Sequence, residues 1–260
     1  MSTPEQTKPR RRDLPLARLL PNMLTLLSLC SGLTGIQFAM MEKWDKAVLA
    51  IVLSSVFDVL DGRLARLLNI ASKFGAELDS LADLTSFGVA PALMMYLWVL
   101  HNDPTGFGWI AALVFASCSA LRLARFNTML EDHTAPVWTK SFFTGVPAPA
   151  GAGLVLLPLI ATLQFGPDCQ PPAWALALWL IVIGGLMVSR VPTVSMKGRR
   201  VAPIWIVPIM LGVTLIAAAL ITNTWLALLG VGGVYLLLIP FGSLSYRRRM
   251  RQDQEDRHNA

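Results

Sequence analysis

The chain has 260 residues, of which 54% are hydrophobic and only 15% are charged, whereas about 25% of the residues in a typical soluble domain are charged. This composition excludes an ordinary soluble domain and indicates an integral membrane protein. The formal net charge of +6 could indicate binding to nucleic acid, but in a membrane protein an excess of Lys and Arg more often reports helix orientation. We therefore predict no nucleic-acid partner.

Apolar stretches long enough to cross a bilayer recur along the whole chain. The sequence predicts an all-α fold, a polytopic transmembrane helix bundle of about eight spans. The predicted spans are residues 20–41, 47–70, 79–100, 107–127, 145–164, 172–190, 203–221 and 225–241. No clear small-residue cleavage site follows the first span, so we interpret it as a retained helix and not as a signal peptide.

The organisation of the chain follows from these spans. We predict a basic N-terminal segment at 1–13, a core at 14–200, two additional spans within 201–246 and a basic, polar tail at 247–260.

The Lys and Arg residues are distributed unevenly over the predicted loops. Only Lys43 and Lys46 fall on one side of the membrane, and the other 20 of the 22 fall on the opposite side. Because Lys and Arg accumulate in cytoplasmic loops, we predict an even number of spans with both termini in the cytoplasm. This orientation also places the cytoplasmic ends of the second and third spans together.

Four aspartates lie near those cytoplasmic ends: Asp58, Asp61, Asp79 and Asp83. Carboxylates at membrane depth are costly and usually functional. Each pair shares one face of its helix, and a short turn over residues 72–75 is expected to bring the two faces together. Four adjacent carboxylates would repel one another, and Mg²⁺ or Mn²⁺ with oxygen ligands would remove that conflict. We predict a site for two such ions, which could clamp a diphosphate.

Small and basic residues accompany the first pair of aspartates. Gly62 and Ala65 lie on the same helix face and allow a ligand or another backbone to approach closely. Arg66 lies at the edge of that face, where it would neutralise phosphate charge.

The acidic motif resembles the signature of the CDP-alcohol phosphatidyltransferases, D-x2-D-G-x2-A-R-x8-G-x3-D-x3-D. Its eight fixed positions are filled by Asp58, Asp61, Gly62, Ala65, Arg66, Gly75, Asp79 and Asp83. Four further segments are similar to the bacterial, membrane-integral members of the family that use L-serine as acceptor. They are L-P-N-M-L-T at 20–25, S-F-G-V-A-P-A at 86–92, L-R-L-A-R-F-N at 121–127 and F-F-T-G-V-P-A-P-A at 142–150. The resemblance covers roughly the predicted core, residues 14–200.

The resemblance implies an enzyme that transfers the phosphatidyl group of CDP-diacylglycerol to the hydroxyl of L-serine and releases CMP. It implies that Asp58, Asp61 and Asp79 ligate the metal. Asp83 would contribute to the metal site and act as the general base, so that the catalytic residues are Asp79 and Asp83. The residues implied for binding the cytidine diphosphate part are Asn22, Thr25, Gly62, Ala65, Arg66, Ser72 and Gly75.

The resemblance also implies a setting. It points to a multi-pass protein of the bacterial cytoplasmic membrane, surrounded by membrane lipids, with an active site that faces the cytoplasm. Members of the family are commonly homodimers, so we expect a homodimer here.

The carboxylate of serine requires a cationic partner. The candidates are Arg122, Arg125, Asn127 and Lys140, at the cytoplasmic end of the fourth span and in the following loop. In the alternative interpretation, the two arginines only mark the membrane boundary or bind lipid phosphates.

Two alternative functions stay open at this point. The acceptor could be glycerol 3-phosphate, inositol or choline. A cation transporter is the alternative from a different class, but a transporter would carry ionisable or broken-helix features at corresponding places in its two halves. Here all four acids lie in one predicted hairpin.

Overall fold

The computed structural model describes residues 19–68, 72–131, 143–189, 192–193 and 206–238. The predicted N-terminal segment 1–13 and the predicted tail 247–260 lie outside these residues, as does Lys140. Most of the basic residues used to predict the orientation lie there too, so the cytoplasmic location of both termini stays a prediction.

The described residues are almost entirely helical. The helices are α1 (Leu20–Met40), α2 (Trp44–Leu67), α3 (Lys73–Asp83), α4 (Ala90–Trp98), α5 (Phe107–Glu131), α6 (Ala148–Phe165), α7 (Ala173–Val188), α8 (Ile206–Thr222) and α9 (Thr224–Leu238). Short 3₁₀ turns follow α4 at Leu100–Asn102 and α6 at Pro167–Cys169. Two strands of two residues, β1 (Phe143–Thr144) and β2 (Pro192–Thr193), pair antiparallel. The prediction of an all-α protein is confirmed, with this short pair as an addition.

The third predicted span is one continuous helical rod from Lys73 to Trp98, in which a π-helical segment, Leu84–Val89, joins α3 to α4. The rod begins earlier than the predicted span, and the predicted turn over residues 72–75 is wrong. Ser72 instead caps α3, because its hydroxyl accepts a 3.0 Å hydrogen bond from the backbone N–H of Gly75. This bond satisfies one of the free N–H groups in the first helical turn.

Among the described residues, four helical stretches are long and apolar enough to cross a membrane: Leu20–Met40, Lys73–Trp98, Phe107–Thr128 and Ala148–Phe165. Two shorter apolar helices are Ala173–Val188 and Thr224–Leu238. The 24 residues of α2 would extend over about 36 Å, but this helix also carries the first pair of aspartates and several basic residues. The protein is therefore a membrane protein with an apolar helical bundle, and the number of eight spans stays a prediction.

Helices α1 and α2 approach each other closely because small polar residues line their interface. The Ser28 and Ser54 hydroxyls lie 2.8 Å apart, and Ser31 donates a 2.7 Å hydrogen bond to the Ala50 carbonyl. Small residues of this kind let helix backbones pack closely in membranes. The tight pairing fixes the position of α2, and hence of its aspartates, relative to α1.

The rod that contains the π-helical segment lies in the middle of the bundle. Phe87, Met94 and Met95 on the rod are fully buried, as is Phe115 on α5. A Cβ atom on Gly88 would lie 2.8 Å from the Ser119 hydroxyl oxygen, so the rod and α5 are in close contact directly beyond the acidic cluster. This contact places the C-terminal half of α5 beside the last aspartate of the motif.

Candidate active site

Three of the four predicted aspartates form a compact cluster between α2 and α3. One carboxylate oxygen from each of Asp58, Asp61 and Asp79 lies within 4.8 Å of the other two. Asp61 is only 4% exposed, and the other two are half-buried. The predicted convergence of the two acidic faces is therefore observed for these three residues.

The donor set of this cluster fits a hard divalent cation. All three ligands are carboxylate oxygens, which Mg²⁺ and Mn²⁺ prefer over nitrogen or sulfur. Carboxylates held so close together are strongly repulsive unless a positive charge lies between them. The residues present thus match the predicted metal, and within the described part of the chain this is the one group of ligand residues with such spacing.

Asp83 lies outside this group of three, one helical turn further along the rod. Its carboxyl group is within hydrogen-bonding reach of the Asp58 carboxyl. It also interacts electrostatically with the guanidinium of Arg122 on α5. Asp83 therefore interacts with both the acidic cluster and Arg122 on α5, a position suited to a residue that acts on a second substrate.

Thr25 on α1 supports the cluster directly. Its hydroxyl donates a 2.7 Å hydrogen bond to Oδ2 of Asp61 and lies 3.1 Å from the carbonyl oxygen of Pro21. The side chain is buried, with 4% exposure. The sequence predicted a contact between Thr25 and the nucleotide, and the structure places its hydroxyl on a carboxylate of the metal cluster.

Asn22, Ser72 and Gly75 lie together where α1 meets the start of α3. A Cβ atom on Gly75 would lie 2.9 Å from Oδ1 of Asn22 and 3.1 Å from the Ser72 hydroxyl oxygen. The absence of a side chain at Gly75 therefore permits this approach. The three predicted nucleotide-binding residues form one polar group.

The other predicted nucleotide-binding residues lie on the last turns of α2. Arg66 is exposed, and its Nε donates a 2.7 Å hydrogen bond to the carbonyl oxygen of Gly62. The two terminal nitrogens of the guanidinium have no hydrogen bond within the described residues, so they are free to bind a phosphate. Ala65 is half-buried and presents only a methyl group.

The predicted acceptor residues on α5 have different surroundings. Arg122 is half-buried and interacts electrostatically with Asp83, and its buried Nε has no hydrogen-bond partner among the described residues. Asn127 instead donates a 2.9 Å hydrogen bond from Nδ2 to the hydroxyl of Ser80 on α3. Arg125 is half-buried, one turn beyond Arg122. The structure therefore joins Arg122 to the acidic cluster and gives Asn127 a role in holding α5 against α3.

Two residues near the site were not identified from the sequence. Ser80 follows Asp79 directly and receives the Asn127 hydrogen bond, and its position beside a motif aspartate was the available signal. Tyr235 on α9 interacts electrostatically with Arg122. It is a lone tyrosine in an apolar stretch far along the chain, and no sequence pattern connects it to the aspartates.

Comparison with known proteins agrees with this geometry. A family model described as CDP-alcohol phosphatidyltransferase matches residues 18–236. The chain is 40% identical over 235 residues to a protein named CDP-diacylglycerol–serine O-phosphatidyltransferase from Mycobacterium leprae. This alignment covers 90% of this chain and 78% of that protein.

Two further relatives carry the same name. The one from Mycobacterium tuberculosis strain H37Rv is 38% identical over 240 residues, 92% of this chain and 83% of its own length. The one from Helicobacter pylori strain 26695 is 36% identical over 173 residues, 66% of this chain and 70% of its own length. The resemblance drawn from the eight-position motif is thereby confirmed.

Proposed function

This chain belongs to the CDP-alcohol phosphatidyltransferase family, and we propose that it transfers the phosphatidyl group of CDP-diacylglycerol to the hydroxyl of L-serine, which yields phosphatidylserine and CMP. One structural observation carries the proposal, the convergence of Asp58, Asp61 and Asp79 within 4.8 Å. The shared name of the relatives supports serine as the acceptor.

Asp58, Asp61 and Asp79 would hold a divalent cation, Mg²⁺ or Mn²⁺, with Asp83 beside them and two ions per site. When bound, the cation neutralises the charge of the diphosphate and stabilises the departing oxygen. Thr25 keeps the Asp61 carboxylate in place through its hydrogen bond, as outer-shell partners of metal ligands commonly do.

Arg66 and the polar group at the start of α3 bind the donor. The guanidinium of Arg66 is anchored through Nε, so its terminal nitrogens can bind a phosphate oxygen. Gly62 and Ala65 leave room for the nucleotide, and Gly75 allows Asn22 and Ser72 to lie close together. Asn22 and Ser72 offer polar atoms beside Gly75 at the start of α3.

Asp83 acts as the general base. It accepts the proton of the serine hydroxyl, whose oxygen forms a bond to the phosphatidyl phosphorus. The bond between that phosphorus and the oxygen of CMP breaks, and CMP leaves with the electron pair. The position of Asp83 between Asp58 and Arg122 supports this role, because the acceptor must meet the donor phosphate where both regions join.

Arg122 provides the positive charge for the serine carboxylate, with Arg125 as a second cation on the same helix. Asn127 contributes by fixing α5 against α3 through Ser80. Lys140 was also predicted for this pocket, and it lies outside the described residues.

The enzyme acts in the bacterial cytoplasmic membrane with its site facing the cytoplasm, as a homodimer. The uneven distribution of Lys and Arg supports the orientation, and the family resemblance supports the dimer.

The test is CMP release from CDP-diacylglycerol by detergent-purified protein, with and without Mg²⁺ or Mn²⁺. L-serine, glycerol 3-phosphate, inositol and choline are offered in parallel. We expect metal-dependent release with serine alone. Release with another acceptor would keep the chemistry and refute the serine assignment, and no release with any acceptor would refute the enzymatic function.

A further inference from the structure

Three buried polar side-chain atoms have no hydrogen-bond partner within the described residues: Ser119 Oγ, Arg122 Nε and Tyr235 Oη. Buried polar atoms in proteins are almost always paired, so unpaired ones require an explanation. These three are not scattered. Ser119 and Arg122 lie three positions apart on one face of α5, and Tyr235 interacts electrostatically with Arg122.

The unpaired atoms adjoin the acidic cluster on its acceptor side. Arg122 interacts with Asp83, and Ser119 lies one turn deeper, against Gly88 of the π-helical segment. The metal cluster and the donor-binding residues lie mainly on α2 and on α3, and not on α5. A small molecule that bonds to Arg122 would therefore lie near Asp83.

Helix α9 is packed firmly enough to hold Tyr235 in place. Trp225, Leu228 and Leu229 of this helix pack against the hydrophobic core. A Cβ atom on Gly232 would lie 2.5 Å from Cδ2 of Leu157 on α6, which shows that the two helices are in close contact. Tyr235 follows Gly232 by three residues, so it lies on the same face of α9 and is directed into the bundle.

We propose that Tyr235 determines acceptor specificity: its hydroxyl and the Arg122 guanidinium together bind the carboxylate of L-serine while the serine hydroxyl faces Asp83. The inference rests on the function proposed above. In serine only two carbon atoms separate the hydroxyl oxygen from the carboxylate carbon, so the carboxylate-binding groups must lie close to the base. We assign this role to Arg122, which interacts electrostatically with Asp83.

The chemistry of the two groups suits a carboxylate. The guanidinium of Arg122 offers only donors and carries the compensating charge, and the Tyr235 hydroxyl supplies a donor to the second carboxylate oxygen. A pocket built this way discriminates against an acceptor that lacks the carboxylate, because the buried donors are then left unpaired. Helix α9 would thus help to select the acceptor.

The experiment compares Tyr235→Phe with wild type in the CMP-release assay, with L-serine and with serinol, in which a hydroxymethyl group replaces the carboxylate. Loss of a hydrogen bond to a charged group corresponds to about 10- to 100-fold in affinity. We expect the KM for L-serine to rise by about that factor and the preference for serine over serinol to fall equally. The KM for CDP-diacylglycerol is expected to stay at the wild-type value.

Tyr96→Phe is the matched control, since Tyr96 contacts His101 and Trp109 elsewhere in the bundle, and it should leave all these parameters unchanged. Tyr235→Leu removes the same hydroxyl with a different side chain and should reproduce the loss of selectivity if Tyr235→Phe is not stably folded. The Tm without ligand shows whether each variant is folded.

The outcomes separate this inference from the proposed function. An unchanged KM and unchanged selectivity in folded Tyr235 variants would overturn the inference, as would a rise in the KM for CDP-diacylglycerol alone. If wild-type protein itself releases no CMP with serine, the proposed function fails. If wild type is active and the Tyr235 variants match it, only the present inference fails.

Discussion

The hydroxyl of Thr25 on α1 donates a 2.7 Å hydrogen bond to Oδ2 of Asp61 on α2, although the two residues are 36 positions apart in the sequence. Both side chains are buried, each with 4% exposure. This bond orients one carboxylate of the cluster and connects the first helix of the bundle to the chemistry.

Thr25→Val should weaken metal binding, because it removes the donor while keeping the shape of the side chain. Loss of an outer-shell partner typically costs about 10- to 100-fold in metal affinity or activity. We expect the Mg²⁺ or Mn²⁺ concentration for half-maximal CMP release to rise by that factor. Thr34→Val is the control on the same helix, where the hydroxyl donates only to the Cys30 carbonyl. If Thr25→Val and Thr34→Val needed the same metal concentration for half-maximal CMP release, the Thr25 bond would have no role in metal binding.

Asp79→Asn should abolish turnover while leaving the fold intact. The amide has nearly the same size as the carboxylate but lacks its negative charge. We expect CMP release to fall by at least about 100-fold, since even an outer-shell change costs up to that much, with little change in Tm. Asp168→Asn is the control for the same substitution at an exposed position between α6 and α7. A wild-type rate for Asp79→Asn would remove Asp79 from the metal site.

The hydrogen bond between Asn127 and Ser80 should contribute to the stability of the fold and not to serine binding. Asn127→Ala is expected to reduce stability by about 0.5–1.5 kcal/mol, the usual contribution of one hydrogen bond. Because both residues share that bond, the double variant should lose less stability than the summed losses of Asn127→Ala and Ser80→Ala. Thermal denaturation of the four proteins measures this coupling. Strictly additive losses, with a raised KM for serine in Asn127→Ala alone, would instead place Asn127 in the acceptor pocket.

Gly32→Ala should destabilise the bundle. A Cβ atom at Gly32 would collide with the Ser86 side chain and lie 2.8 Å from the Ser86 Cα, so α1 would be forced away from the π-helical segment. Overpacking of this kind costs about 1–3 kcal/mol. The measurement is the Tm in detergent. Gly153→Ala is the matched control, because nothing lies within 4 Å of its added Cβ, and it should be neutral or slightly stabilising. A Tm for Gly32→Ala as high as that of Gly153→Ala would refute the close contact.

We expect Asp103, in the loop before α5, to make a pH-dependent contribution to stability. Hydrogen bonds from the hydroxyl and backbone N–H of Thr105, and from the N–H of Gly108, lower the pKa of Asp103. Because the folded-state pKa is lowered, the ionised carboxylate stabilises the fold at pH values above the unfolded-state pKa, about 3.9 for aspartate. This stabilisation is lost as the pH falls through the folded-state pKa. Asp103→Asn cannot ionise. The Tm difference between wild type and this variant should therefore shrink below about pH 4, and a constant difference would contradict the effect.

The sequence alone determined the helical membrane character, the approximate positions of the helices and the identity of the acidic site. Apolar length and the spacing of Asp58, Asp61 and Asp79 are local properties, and a helix converts local spacing directly into a shared face. The start of α3 was misplaced, because residues 72–75 were interpreted as a short turn between the two helices. The hydrogen bond that caps α3 at Ser72 is a local contact that the apolar pattern did not reveal.

Only the tertiary structure decided which distant residues meet at the site. The Thr25–Asp61 bond, the Asn127–Ser80 bond and the approach of Tyr235 to Arg122 join helices that are far apart in sequence. Such contacts depend on helix crossing and rotation, which are set by close packing of small residues such as Gly32 against Ser86 and Gly232 against Leu157. No periodicity within one helix specifies its partner across the bundle, so the sequence predicted Arg122 for the acceptor pocket but did not reveal its interaction with Tyr235.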